Sequence, residues 1–403
     1  MSDAGATLRV VVSSRADAGV ALRPTRAEID LEALAHNLGV VRALVAEDRS
    51  APPRVYAVVK ADAYGHGVIP VARALESAGV DGLCVALVEE GIELRAAGVS
   101  LPILVMSGLY GDGLGAALDA KLTPVIHEAS QLQALRAARS YLPVRVHLKV
   151  DTGMGRLGVT PAALPPFLDA IASMGHVVVE GLMTHFANAD CDDPSFTATQ
   201  LARFEAARAL CAQHGIHPEV CHAAASAAAF RMPEARLDLV RVGVALYGVT
   251  PFLHDAPGLL PVMRLRTEVI ALRELSPGSP VGYGGAWRSG RPSVIATLPV
   301  GYADGFFRRL SSDAEVLIQG QRCRVVGNVS MDMTTVDVTD LARLSGVAVG
   351  DEAVLLGSQR GAGGFDVIRA EEIARRVGTI PYEVLTAVSR RVPRSYRERS
   401  AGR

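Results

Sequence analysis

The stretch Val55-Tyr56-Ala57-Val58-Val59, closed by Lys60, decides the fold. A short β-branched run ends on a single amine, and an Ala/Leu-rich segment of helical character follows it. The same alternation recurs. Further strand-like runs lie at residues 82–86, 103–106, 123–126, 144–150, 177–184, 219–222 and 239–245, with helical stretches such as 71–78 and 200–214 between them. Eight βα units predict an α/β fold, a parallel sheet closed into a (β/α)8 TIM-type barrel. An open doubly wound sheet would carry its glycine fingerprint after the first strand, and Lys60-Ala61-Asp62-Ala63-Tyr64-Gly65-His66-Gly67 is not that pattern.

After Pro251 the character changes. Residues 266–275, 293–300, 315–318, 322–326, 334–338 and 353–356 read as strands joined by tight turns, with no long helix before 370–377 and 381–388. The predicted organisation is a flexible extension over 1–24, a barrel over 25–255, a β-rich C-terminal domain over 256–394 and a tail over 395–403. The short strand within 25–33 fits either domain. A chain of 403 residues suits two such domains.

Composition narrows the function. The net charge is −1, so no basic excess exists to neutralise a nucleic-acid backbone. Uncharged stretches such as 96–111 are broken by Pro and Gly and are too short to span a bilayer. Five scattered cysteines form no C-x-x-C pair, and the apolar run in the extension is too short for a secretory leader. These features predict a cytoplasmic protein without a structural metal site. Of 41 basic residues, only Lys60, Lys121 and Lys149 are lysines. Where arginine is the default cation, a retained lysine points to an amine that can lose its proton, and Lys60 and Lys149 both end apolar runs.

Barrel catalysis sits at the carboxyl ends of the strands. Lys60 closes the first, Lys149 the fifth with Arg156 just beyond, and His185 the sixth. His222 and Ser226 follow the seventh, and Arg241 lies on the eighth with Gly243 close after it. A lysine buried at a strand end has a depressed pKa and suits a Schiff base with a carbonyl cofactor. Backbone N–H groups of residues 241–244, with the Ser226 hydroxyl, suit a phosphate. Together these residues predict a pyridoxal 5'-phosphate site.

The motif at residues 57–67 resembles the cofactor-lysine motif of alanine racemases, fold-type-III pyridoxal phosphate enzymes. Further matches in family order include Lys149-Val150-Asp151-Thr152-Gly153-Met154-Gly155-Arg156, Thr184-His185-Phe186-Ala187 and Arg241-Val242-Gly243. Gly282-Tyr283-Gly284, Gly301-Tyr302-Ala303-Asp304-Gly305, Ser330-Met331-Asp332-Met333 and Ile380-Pro381-Tyr382-Glu383 extend the resemblance over roughly residues 24–394. It implies a homodimer with shared active sites that interconverts L- and D-alanine and supplies D-alanine for peptidoglycan. Lys60 would carry the cofactor and act as one base. Tyr283 of a partner subunit would be the other. Racemisation needs such a pair, because the proton leaves one face and returns to the other. Arg241 would face the pyridine nitrogen, with His185 beside it. Tyr64, Ser226, Gly243, Val244 and Tyr382 would hold the phosphate. Arg156 and the Met331 backbone would take the substrate carboxylate, while Tyr302 and Asp332 line the entry. Lys149 would be carbamylated beside Arg156, or else paired with Asp151 or a glutamate.

Two positions depart from the family pattern: Asn328 stands where an arginine is common, and Ala225 where an asparagine is. The alternatives are a non-catalytic pyridoxal phosphate carrier, a serine or broad-specificity racemase, and a fold-type-III decarboxylase. Carriers lack a second domain and the counterpart of Tyr283. Gly153–Gly158 matches G-x-G-x-x-G, but it follows the fifth strand and contains Arg156, which makes a dinucleotide site a poor reading. Asp190–Asp193 reads as a turn ahead of a helix, and Trp287 as packing near Tyr283.

Overall fold

All eight runs form strands in the computed structural model, which describes residues 11–12, 22–47, 49–137, 143–250, 252 and 258–397. They are β1 (Arg54–Val58), β2 (Gly82–Val85), β3 (Ile103–Val105), β4 (Thr123–Ile126), β5 (Val144–Lys149), β6 (Val177–Met183), β7 (Val220–His222) and β8 (Leu239–Val242). Their order is β8-β1-β2-β3-β4-β5-β6-β7, and every neighbouring pair is parallel. Backbone bonds from Arg241 to the Ala224 carbonyl and from Asp238 to the Cys221 carbonyl draw β7 and β8 together, with a parallel bridge between Ala225 and Arg241. Every residue of β2 and β3 is buried. Strands covered on both faces read as continuous apolar runs rather than alternations, which is why these short segments were legible.

The described chain groups into two units, Leu34–Ala63 with Val68–Leu259, and Met1–Ala33 with Tyr64–Gly67 and Leu260–Arg403. The first contains the barrel. The second is built on an eleven-stranded sheet. Its centre runs Arg26–Asp30, Met263–Glu268, Glu352–Gly361, Glu315–Ile318, Gln321–Val325, Thr334–Asp337, Ser293–Leu298 and Ala271–Leu275. The strand left open between the domains therefore pairs inside the β-rich unit, Ala27 against Leu265.

Two local readings differ from the structure. The run 266–275 is two strands, because Val269 donates to the Asp351 carbonyl and Ile270 to the Thr297 carbonyl, so the chain changes partner there. Residues 395–397, read as tail, continue the strand Arg394–Arg397, parallel to Arg26–Asp30. Its buried Tyr396 shares a face with the half-buried Arg394, which donates to the Gly65 carbonyl, while Arg397 is exposed. Before residue 370 the described residues of the β-rich unit add the short helix Thr339–Leu344. Trp287 packs on Val281, Ile295 and Val326. Of the extension, Val11–Val12 pairs antiparallel with Tyr396 and Ser395, while residues 1–10 and 13–21 lie outside the described residues.

Candidate active site

Lys60 lies two residues past the end of β1, at the carboxyl rim of the barrel. The backbone after it is unusual. Ala61, Asp62, Ala63 and Tyr64 have φ of 54°, 55°, 53° and 53°, a left-handed helical turn built without glycine. Such a conformation costs L-residues roughly 1–2 kcal/mol each, so four in a row store on the order of 4–8 kcal/mol that the surroundings must offset. Several bonds do so. Ala63 donates to the Val59 carbonyl at 2.9 Å, Glu90 accepts from the Ala61 N–H at 2.7 Å, and Asp62 accepts from the Val68 N–H at 2.7 Å. At the far end Gly65 (φ 81°) has its carbonyl clasped by Arg394 at 2.9 and 3.0 Å. A Cβ on Gly65 would stand 2.6 Å from the Leu385 carbonyl oxygen, so only glycine fits.

Around Lys60 the barrel rim gathers cations. Burial and then Arg156 push the Lys60 amine below the ordinary lysine range. Lys149, the last residue of β5 and only 5 % exposed, is lowered to about 8 by burial, then by Arg241 and Arg156. Asp151 is the acid nearest in sequence, but its carboxylate accepts from the backbone N–H groups of Gly153, Met154 and Gly155. Those bonds shape the loop that carries Arg156. Gly158 closes it, because a Cβ there would stand 2.4 Å from the Asp151 nitrogen. The glycines that imitate a dinucleotide fingerprint thus serve a tight excursion between Val150 and Val159.

Arg241, fully buried on β8, organises the floor of the rim. Its Nη2 donates to the carbonyls of Thr184 (2.9 Å) and Ala223 (3.0 Å) and approaches His185 Nδ1 at 3.3 Å. Its Nη1 lies 2.7 Å from His222 Nδ1. Burial lowers Arg241 only to about 10, so it stays charged at neutral pH. A guanidinium can only donate, which fixes the tautomers beyond it. His222 must accept at Nδ1, and its Nε2–H then donates to His147 Nδ1 at 2.8 Å. Burial and Arg241 hold His147 and His185 at about 3 and His222 well below its ordinary value, so all three rings are neutral. The His185–Arg241 contact was expected. The shorter Arg241–His222–His147 chain was not, and no local sequence signal reveals it.

Ser226 opens the helix Ser226–Arg231, and its hydroxyl accepts from the Gly243 N–H at 3.0 Å. Val244 begins the short turn Val244–Tyr247, and Tyr247 donates to the Val58 carbonyl, two residues before Lys60. Ser226, Gly243 and Val244 are therefore brought together beside β8.

Within the second unit, the rings of Tyr64 and Tyr382 lie 6.1 Å apart. Tyr283 sits in a turn between Gly282 and Gly284 and is 76 % exposed. Asn328 donates to its carbonyl at 2.8 Å, so the departure from the family pattern ties down the tyrosine turn. Backbone bonds from Tyr302 to Ser330 and from Ala303 to Met331 join the 302 and 331 turns. Asp332 pairs with Arg391 at 2.8 Å. Tyr283, Tyr302 and Met331 thus belong to one connected set of turns and are all exposed.

The donor set suits pyridoxal phosphate. Burial and Arg156 hold the Lys60 amine toward its neutral form, which is the form that attacks a carbonyl, and the Ser226 hydroxyl and Gly243 N–H, 3.0 Å apart, are groups suited to a phosphate. Rim lysine, cation cluster and barrel together mark an enzyme of the class that holds this cofactor on a lysine. The family profile described as alanine racemase, N-terminal domain, matches residues 29–251, and that described as alanine racemase, C-terminal domain, matches residues 262–396. The chain belongs to the alanine racemase family. It is 49 % identical to an alanine racemase of Sorangium cellulosum over 94 % of this chain and 100 % of that one. To an alanine racemase of Symbiobacterium thermophilum it is 44 % identical over 93 % and 97 %. The solved alanine racemase of Streptomyces coelicolor A3(2) superposes with a TM-score of 0.86 at 37 % identity, over 94 % of this chain and 99 % of that one.

Proposed function

We propose that this protein interconverts L- and D-alanine with pyridoxal 5'-phosphate, using Lys60 and Tyr283 as bases on opposite faces of the substrate carbon. The observation that carries this reading is the Lys60 amine, lowered in pKa at the barrel rim, in a chain whose family match runs through both domains. That second domain disfavours the carrier reading. When bound, the cofactor supplies an electron sink that makes the α-proton acidic enough for a protein base to remove. Lys60 would hold it covalently and move a proton at one face. Tyr283 would move the other. Tyr64, Ser226, Gly243, Val244 and Tyr382 are assigned to the phosphate, and Arg156 and the Met331 N–H to the substrate carboxylate. Tyr302 and Asp332 are assigned to the entry. The test is circular-dichroism racemisation of L- and D-alanine, serine and lysine. Turnover of alanine well above that of serine and lysine supports the assignment, and no turnover of any by cofactor-loaded protein would return the carrier reading. D-alanine made this way would feed the cell wall, and free cysteines throughout the described residues favour the cytoplasm.

Arg241 would face the pyridine nitrogen of the cofactor. Because it cannot give up a proton there, it keeps that nitrogen unprotonated and limits side reactions of the carbanion. Arg241→Glu is expected to raise the ratio of transamination to racemisation on D- or L-alanine by roughly tenfold or more, since a glutamic acid can supply that proton. Pyruvate formed per racemisation event measures it, and an unchanged ratio refutes the role.

Lys149 would carry a carbamate. A neutral amine is needed to capture carbon dioxide, and its pKa of about 8 leaves an appreciable neutral fraction in mildly alkaline solution. The folded-state pKa is below the unfolded value, so the fold disfavours the cationic amine at neutral pH, and conversion to an anion among Arg156 and Arg241 removes that penalty. Labelled bicarbonate is expected to give a carbamate carbon resonance that Lys149→Ala lacks. Bicarbonate should also raise the melting temperature more at pH 8 than at pH 6. Absence of the resonance leaves Lys149 an ordinary amine.

A further inference from the structure

The left-handed turn after Lys60 begins with an N–H that a left-handed helix cannot itself satisfy, and one side chain takes it. Glu90 Oε1 accepts from the Ala61 N–H at 2.7 Å, while Oε2 accepts from the N–H groups of Ala86 (2.7 Å) and Leu87 (3.1 Å). Two of these bonds bind the loop after β2 and cap the helix Val88–Ala96. The third reaches back to the residue following Lys60 and serves nothing in that helix. Both carboxylate oxygens are in use as acceptors. A glutamine offers one acceptor oxygen and would turn an NH2 group toward N–H donors, so it cannot replace all three bonds.

We propose that Glu90 is a positioning residue for Lys60: its carboxylate ties the start of the left-handed turn to the loop after β2 and so fixes where the lysine amine points. The geometry supports this in two ways. The turn is conformationally costly and would relax if its first N–H were released. The residue so held is the immediate neighbour of the reacting lysine, and a displacement of about 1 Å at a reacting group can cost on the order of 100-fold in rate. Charge adds to position. Of the groups acting on the Lys60 amine, Glu90 and Cys84 favour its protonated form, while Arg156 opposes it.

The proposal rests on the assignment of Lys60 as the cofactor-bearing base, and the experiment separates the two. Glu90→Gln, Glu90→Asp and the control Glu89→Gln are compared with wild type as cofactor-loaded protein. The readouts are kcat and KM for both enantiomers, the pH midpoint of the visible absorbance, and the melting temperature. Glu89 is an exposed acid on the same helix, so its variant is expected to match wild type. Glu90→Gln is expected to lower kcat by roughly 10- to 100-fold with KM changed less than about threefold, and to move the absorbance midpoint to lower pH. Glu90→Asp keeps the charge but loses reach, so it should lower kcat while leaving the midpoint near wild type. It also decides the matter should the glutamine variant not fold. A melting temperature that falls while kcat and midpoint stay at wild-type values would make Glu90 a helix cap only and overturn the proposal. A visible absorbance that survives in Lys60→Ala would instead overturn the assignment of Lys60.

Discussion

Lys60→Ala is expected to lose alanine racemisation in both directions by roughly 10³-fold or more, together with the visible absorbance of lysine-bound cofactor. The fold itself should survive. Burial and Arg156 already disfavour the charged amine, which means that the folded state holds this proton less tightly than the unfolded chain does. Below the folded-state pKa that difference opposes folding, so, with both proteins free of cofactor, deleting the amine is expected to leave the melting temperature equal or higher at pH 7. The four-residue left-handed turn remains, because its bonds come from Val59, Glu90 and Asp62 rather than from the lysine side chain. Circular dichroism of the substrate and the visible spectrum together check the prediction. A folded variant that retains both signals would remove Lys60 from the reaction.

The barrel was readable because its strands are largely buried, as uninterrupted apolar runs in Gly82–Val85 and Ile103–Val105 and with Arg54 and Arg145 as exposed exceptions in Arg54–Val58 and Val144–Lys149. The scarcity of lysine drew attention to Lys60 and Lys149 for a chemical reason, and the structure places both at the barrel rim among arginines. What could not be read was geometry that residue types do not announce. Ala61, Asp62, Ala63 and Tyr64 carry no left-handed signature, and only the acceptors around them hold that conformation. The pairing of His147 with His222 joins side chains 75 positions apart through a barrel interior, so no spacing rule could find it. Residue type alone does not set Glu90 apart from Glu89, and capping the helix Val88–Ala96 accounts for two of its three bonds. Residues 395–397 looked like a tail because a single buried residue, Tyr396, is too short a signal to show a period beside the exposed Arg397.

Tyr283→Phe is expected to separate the two faces of the reaction. Removing one hydroxyl from a side chain that is 76 % exposed leaves the packing of its own unit intact, so the melting temperature should not change. Racemisation should fall by roughly 10²- to 10⁴-fold. Lys60 remains, and exchange of the α-proton with deuterated solvent should therefore persist from one enantiomer of alanine and be lost from the other. Exchange lost equally from both would show that Tyr283 is not a face-specific base. The same variant tests where the second base comes from. A tyrosine this exposed, on turns it shares with the exposed Tyr302 and Met331, fits a site completed by a second copy of the chain. If each site takes Lys60 from one subunit and Tyr283 from the other, a mixed dimer of Lys60→Ala and Tyr283→Phe chains has one site with both bases and one with neither. Random re-association of equal amounts should then restore about a quarter of wild-type activity, because about half the dimers are mixed and each has one working site of two. If instead both bases come from the same chain, every site in the mixture lacks one of them, and mixing restores nothing.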